Sequence, residues 1–328
     1  MLNKQTLTIG TALFLSLAAV HIGLAKKPAT GGGGNHMQRG IELAQQKHFD
    51  AAVGEFTKAI EANPKDPRGY ANRGTAYRQA ARAAVAAGDQ EGASTRYQSA
   101  MADFAKYVEL ASKDAAAYLE RGETEIELKQ YDPALADLNK SLELKPDNLT
   151  ANKFRGFAEL GLSQWDKAVA DFTVVIQKKP DDLQSYDRRA LAYRGMKNYD
   201  AAIADYTFLL GKNPNDTEAL TKRGYTYSLA LQYEKAIPDY EAALKVNPQD
   251  NDTFQRLQYA QSMLAKKNAS PPPAASPMPS PTPEKPSLIT SLLTPLNIGI
   301  AIAALLIIAV VVRLLTRGKP EGTSSMIR

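Results

Sequence analysis

Prolines 146, 180, 214 and 248 stand 34 residues apart, and Pro64 and Ser112 hold corresponding places upstream. A second feature keeps the same step: an arginine followed by a small residue at Arg39-Gly40, Arg73-Gly74, Arg121-Gly122, Arg155-Gly156, Arg189-Ala190 and Arg223-Gly224. A fixed period of this length is the signature of a helix-turn-helix unit stacked into a solenoid. Each unit exposes an apolar face that it cannot bury alone, so its neighbours are part of its core.

Six units follow from the period: 33–66, 67–114, 115–148, 149–182, 183–216 and 217–250, together 218 of 328 residues. With the first residue of each unit called position 1, positions 4, 8, 11, 20, 24 and 32 read Tyr186, Ala190, Tyr193, Ala202, Tyr206 and Pro214 in the fifth unit. In the sixth they read Leu220, Gly224, Tyr227, Ala236, Tyr240 and Pro248. The fourth has Asn152, Gly156, Glu159, Ala168, Phe172 and Pro180, departing at positions 4 and 11. Ala52, Ala100 and Ala134 hold position 20 in the first three. This pattern resembles the tetratricopeptide repeat family. The resemblance implies an all-α fold, a right-handed α-solenoid of six such units, closed by a capping helix over 251–267 in which Phe254 and Leu257 take core positions.

The residue types suit that expectation on physical grounds. Small residues at positions 8 and 20 belong where two helices approach most closely, and aromatics one turn apart fill the remaining space. Position 17 is aromatic in every unit (Phe49, Tyr97, Tyr131, Trp165, Tyr199, Tyr233) and falls at the turn into the second helix. Carboxylates beside it, Asp50, Asp132, Asp166, Asp200 and Glu234, suit that helix's N-terminus. The recurring arginine reads as structural, with its stem on a neighbouring helix and its head paired or solvated. The second unit is 14 residues longer than its neighbours, the surplus lying between Tyr77 and Tyr97 around Gly88-Asp89. Alanine-rich flanks predict two helices each lengthened by about two turns, projecting about 10 Å from the solenoid edge. This hairpin is either a partner contact or a self-packed extension.

Composition excludes much of the remaining chemistry. Cysteine is absent and there are only three histidines, His21, His36 and His48, so thiolate chemistry and histidine-rich metal sites drop out. The net charge of +5 lies at the two ends: residues 33–267 hold 32 Lys and Arg against 33 Asp and Glu. A nearly neutral body argues against nucleic acid as a partner. Gly31 to Gly34 lack the Lys-Ser/Thr that a phosphate loop needs and read as a linker over 26–32. Glu120, Glu123, Glu125 and Glu127 cluster, but only Glu123 and Glu127 share a helix face at i,i+4, too few for a metal site to be expected. No nucleophile has a plausible base, so no enzyme, cofactor or metal is expected.

Both ends carry apolar runs. Residues 1–25 combine Lys4, an apolar stretch from Leu7 to Ala19 and the small-x-small site Gly23-Leu24-Ala25, the form of a signal peptide or of an uncleaved anchor. Lys26 and Lys27 work against translocation. From Leu296 to Val312 there is no charge, and with the lead-in from 288 the segment 288–315 exceeds the roughly 20 residues that span a bilayer. Arg313, Arg317, Lys319 and Arg328 follow it, which by the positive-inside bias places the tail 316–328 in the cytoplasm and the repeats outside it. The proline-dense stretch 268–287 reads as a semi-rigid spacer.

In the family that the repeats resemble, first helices line a concave groove through positions 2, 5, 9, 12 and 13. Carried over, this implies Arg68, Arg78, Lys153, Phe157, Asp187, Leu191, Arg194 and Tyr225 as exposed protein-binding candidates. The family's carboxylate clamp is not matched, since positions 5 and 9 of the first two units read Met37, Ile41, Ala71 and Thr75. The expectation is a membrane-anchored scaffold or adaptor that binds a protein or peptide outside the cytoplasm. A solute- or envelope-polymer-binding protein using the same groove is the alternative.

Overall fold

The computed structural model describes residues 32–269, which form thirteen α-helices and no strand. The leader, the proline-dense spacer, the apolar segment 288–315 and the basic tail lie outside the described residues (save 268 and 269). None of the described helices is long and apolar enough to cross a membrane. The helices are α1 (Gly32–Gln45), α2 (Phe49–Ala62), α3 (Pro67–Ala86), α4 (Gln90–Leu110), α5 (Ala115–Glu127), α6 (Tyr131–Leu144), α7 (Leu149–Gly161), α8 (Trp165–Lys178), α9 (Leu183–Gly195), α10 (Tyr199–Lys212), α11 (Thr217–Leu229), α12 (Tyr233–Val246) and α13 (Asn251–Asn268). Each odd helix packs on the even helix after it, and α1, α3, α5, α7 and α9 also touch one another in succession.

Local chemistry sets the ends. Asp66, Asp114, Asn148, Asp182 and Asp216 cap the first helices, each accepting a backbone N–H from the first turn. Between the helices of a unit the chain passes through one left-handed residue: Lys47, Lys129, Ser163, Lys197 or Leu231, and Gly88 in the long unit. The N–H of the very next residue closes the turn onto the helix just ended, as in Gln164 N to Glu159 O at 2.8 Å and Gln232 N to Tyr227 O at 2.9 Å.

Packing explains the small residues. A Cβ on Gly156 would stand 2.9 Å from the Phe172 ring, and one on Gly224 or Gly74 would meet Tyr240 or Phe104 at the same distance. The ring at position 24 thus lies directly on the position 8 backbone. Ala190 occupies that place under Tyr206 with both fully buried, so one methyl fits when the ring yields. The position 20 alanines (Ala52, Ala100, Ala134, Ala168, Ala202 and Ala236) have no exposed surface at all.

Two expectations need correction. The glycines Gly32 to Gly34 begin α1 rather than forming a linker; Gly33 sits against Ala62, where a Cβ would come within 3.0 Å of that alanine's own. Phe254 is 47% exposed and is not a core residue. Its equivalent Tyr186 stacks on Phe208 of the following helix at 4.1 Å, but α13 is the last described helix and has no such partner among the described residues. Leu257 does join the core beside Tyr233, Tyr240 and Ala260. The long hairpin is lengthened in both helices as expected. α3 and α4 have 20 and 21 residues where α5 and α6 have 13 and 14, but the extra turns are not free-standing. Ala81, Ala84, Ala93 and Tyr97 bury one another, and Leu128 at the end of α5 packs against them.

Candidate functional site

The recurring arginine proves to be a double fastener. Nε and Nη2 of Arg155 donate to the two carboxylate oxygens of Asp171 at 2.7 and 2.8 Å. Arg121 holds Asp137, Arg189 holds Asp205, Arg223 holds Asp239 and Arg73 holds Asp103 in the same two-pronged way. The remaining Nη1 reaches back to the preceding unit: Arg73 to Thr57, Arg155 to Asn139, Arg189 to Thr173 and Arg223 to Thr207, at 2.9 to 3.2 Å. One side chain therefore ties its own hairpin together and the hairpin to its neighbour. In the first unit Glu55 stands in for the aspartate and is bonded by His36 Nδ1 at 2.6 Å and Lys58 Nζ at 2.8 Å.

Two units add a buried carboxyl beside this fastener. Glu125 and Glu159 take position 11, where Tyr77, Tyr193 and Tyr227 stand elsewhere, and only 6% and 5% of their surface is exposed. Burial, reinforced by the neighbouring Asp137, pushes Glu125 up to about 7. The same two causes, with Asp171 as the neighbour, push Glu159 up to about 8. Neither Oε2 has a hydrogen-bond partner.

The groove candidates separate into three kinds. Arg78 is only 3% exposed and lines no accessible surface, which corrects its assignment. Its guanidinium donates to Glu120 and Thr124 of α5 and lies over the Phe104 ring at 5.3 Å. Arg82, one turn on, bridges Glu123 and Glu127. The acidic cluster of α5 is thus the counter-ion set for two arginines of α3, and among the described residues no group of carboxylates and histidines could hold a metal. The second kind is locally paired: Arg68 with its own cap Asp66, Lys153 with Asp182, and Asp187 with Lys222. The last two pairs link successive first helices.

The third kind forms a connected surface. Phe157 of α7 meets Phe172 edge-on at 5.5 Å and lies under Arg188 of α9 at 5.9 Å, with half-buried Leu191 one turn beyond Arg188 on α9. Arg194 of α9 stacks over Tyr225 of α11 at 5.0 Å, and Arg256 of α13 stacks over the same ring at 4.5 Å. Tyr206 of α10 is fully buried. Arg188 and Arg256 were not among the expected residues, although a signal was present. Residues 188, 222 and 256 (Arg188, Lys222 and Arg256) form a basic column at position 6 with the repeat's own step of 34.

Stacked helical hairpins of this kind define a helical-repeat solenoid. Family models described as tetratricopeptide repeat match residues 37–93, 115–148, 183–211 and 217–250, and over these stretches the chain is similar to that family. Tetratricopeptide repeat protein 36 of Caenorhabditis elegans is 46% identical over 41 residues, which is 12% of this chain and 23% of that protein. The match therefore spans less than a quarter of that relative. Among solved structures, a chain of the APC/C hetero-tetramer Cut9-Hcn1 is similar with a TM-score of 0.53 at 17% identity, over 70% of this chain and 42% of that one. It supports the solenoid fold alone. YrrB, described as a TPR protein with an unusual peptide-binding site, is similar with a TM-score of 0.48 at 21% identity, over 63% of this chain and 97% of that one.

Proposed function

We propose that this chain is a membrane-anchored scaffold whose repeats bind a protein or peptide outside the cytoplasm, without catalysing a reaction. The observation that carries the binding reading is the surface running from Phe157 through Arg188 and Arg194 to Tyr225 and Arg256. Four successive first helices place there the half-buried rings of Phe157 and Tyr225, the buried guanidinium of Arg188 and the half-buried ones of Arg194 and Arg256. Aromatic rings and arginines are the residue types that dominate binding energy at protein interfaces. The anchoring reading rests on the uncharged run from Leu296 to Val312 and the basic residues after it.

Capture of partners from detergent extract, comparing the wild-type chain with the Lys153→Ala/Phe157→Ala/Arg194→Ala variant, tests the binding reading. The variant is expected to lose the partners that the wild type retains; the same partners surviving would refute groove binding. A bound solute or polymer in place of a protein would favour the alternative reading. Protease added outside an intact membrane is expected to digest the repeats and spare the tail. Full protection of the repeats would invert the orientation.

A further inference from the structure

We infer that two copies of this chain associate through the exposed ridges of α8 and α10, laid antiparallel against each other. This goes beyond groove binding, since it uses second helices of the units and leaves the first helices open. Every fourth residue along α10 reads Asp200, Ala204, Phe208 and Lys212. Along α8 the same places read Asp166, Ala170, Val174 and Lys178. Residues four apart form one of the ridges by which helices pack, and two such ridges interdigitate when they cross. The order acidic, small, large apolar, basic complements its own reverse. Turned antiparallel, each carboxylate meets a lysine and each large side chain meets an alanine. A surface that matches itself in this way is what a two-fold contact requires.

The ridges are open. All of these residues except Phe208 are exposed, Val174 to 39%. One side of the Phe208 ring stacks on Tyr186 at 4.1 Å, and Lys212 lies over the ring at 5.3 Å. α8 packs on α7 and α9, and α10 on α9 and α11, with the ridges on the remaining flank. Other units show that the repeat does not impose this order. In α2, α4 and α6 the third place is Lys58, Lys106 or Lys140, each held by a glutamate of its own helix at 2.6 to 2.8 Å. Those ridges suit water. In α12 the last place is Val246, so the self-complementary order is confined to α8 and α10. The small and apolar places supply the contact, and the charged ends set its direction, because a parallel pairing would bring like charges together.

Sedimentation of the full chain in detergent tests this with two variants. Asp166→Lys/Asp200→Lys makes the ridges basic at both ends, and Lys178→Asp/Lys212→Asp makes them acidic at both ends. The wild type is expected to sediment as a dimer, and each variant alone as a monomer, its association weakened by about tenfold or more. Mixed in equal amounts, the two variants should form the dimer again, which a misfolded variant would not do. The chain has no cysteine, so a single introduced thiol gives a second readout. A bismaleimide should join two copies of the Ala204→Cys variant but not of Ala136→Cys, the same place in α6. A monomeric wild type overturns the inference. So does a dimer that both variants retain, which would put the contact elsewhere, for example in 288–315, and so does a mixture that stays monomeric. None of these outcomes bears on groove binding, whose residues lie on the odd helices.

Discussion

Arg189 and Asp205 show how unequal the two ends of one ion pair are. The arginine side chain keeps 16% of its surface and can turn to water, whereas the aspartate keeps 7% and has no other escape. Replacing Asp205 with alanine should therefore cost about 1–2 kcal/mol, the loss of a charge-assisted bond. Replacing Arg189 with alanine strands the buried carboxylate and should cost more, about 3 kcal/mol. Urea unfolding followed by circular dichroism measures both, and equal losses would contradict this account of the joint. The position 8 residues give a second comparison at this scale. Gly156→Ala should be nearly neutral, since Ala190 shows that the ring above can yield, while Gly156→Leu should cost about 1–3 kcal/mol by overpacking against Phe172. The small residue was legible from the period; its reason, a ring pressed on the backbone, needed the packed hairpin.

Within α7 and α8, the buried carboxyl of Glu159 makes stability depend on pH. Its ordinary value of 4.5 is raised to about 8 in the folded chain by burial and by Asp171, with Arg155 and Lys167 opposing. The folded state thus holds a proton that the unfolded state has released. The contribution is fully present below about pH 4.5, declines as the pH rises, and is lost above about pH 8. Glu125 adds the same trend in α5, ending near pH 7. Glu159→Gln, which keeps the shape of the protonated acid, should flatten the decline between pH 5 and 8 by an amount on the order of a few kcal/mol. Chemical denaturation across that range reads it, and an unchanged slope would rule out Glu159 as its source. The departure of Glu159 from the expected aromatic at position 11 was visible in the sequence. Its neighbour Asp171 was not, because the two meet across a helix pair. The turn residues invite a further change: Leu231 is left-handed and 65% exposed, so Leu231→Gly should stabilise α11–α12 by about 0.5–1 kcal/mol.

Across the whole solenoid, stability is passed from neighbour to neighbour, since each unit's core is completed by the next. Ala260 of α13 is fully buried against Tyr233 and Tyr240 and seals the last hairpin. Ala260→Glu should strip hydrogen-exchange protection from α11, α12 and α13 while leaving α1 to α6 as they were. A uniform loss along the array would mean that the repeats unfold as one block instead.

The period, the helical class, the small residues and the aromatic turns could all be read from the sequence, because each repeats with its unit and depends on contacts made inside it. The aspartate partners of the arginines were written there too, 16 residues on in Arg121, Arg155, Arg189 and Arg223, but the long second unit stretches that step to 30 and hides the rule. What the tertiary structure alone decided is the fate of identical residues in identical register. Arg78 and Arg194 both stand at position 12 of a first helix. Arg78 is buried because the next first helix, α5, presents Glu120 and Glu123, while Arg194 stays half-exposed because α11 presents Tyr225. For these two arginines burial follows the counter-charge, and the neighbour that supplies it is chosen by the stacking of helices, not by the residue itself.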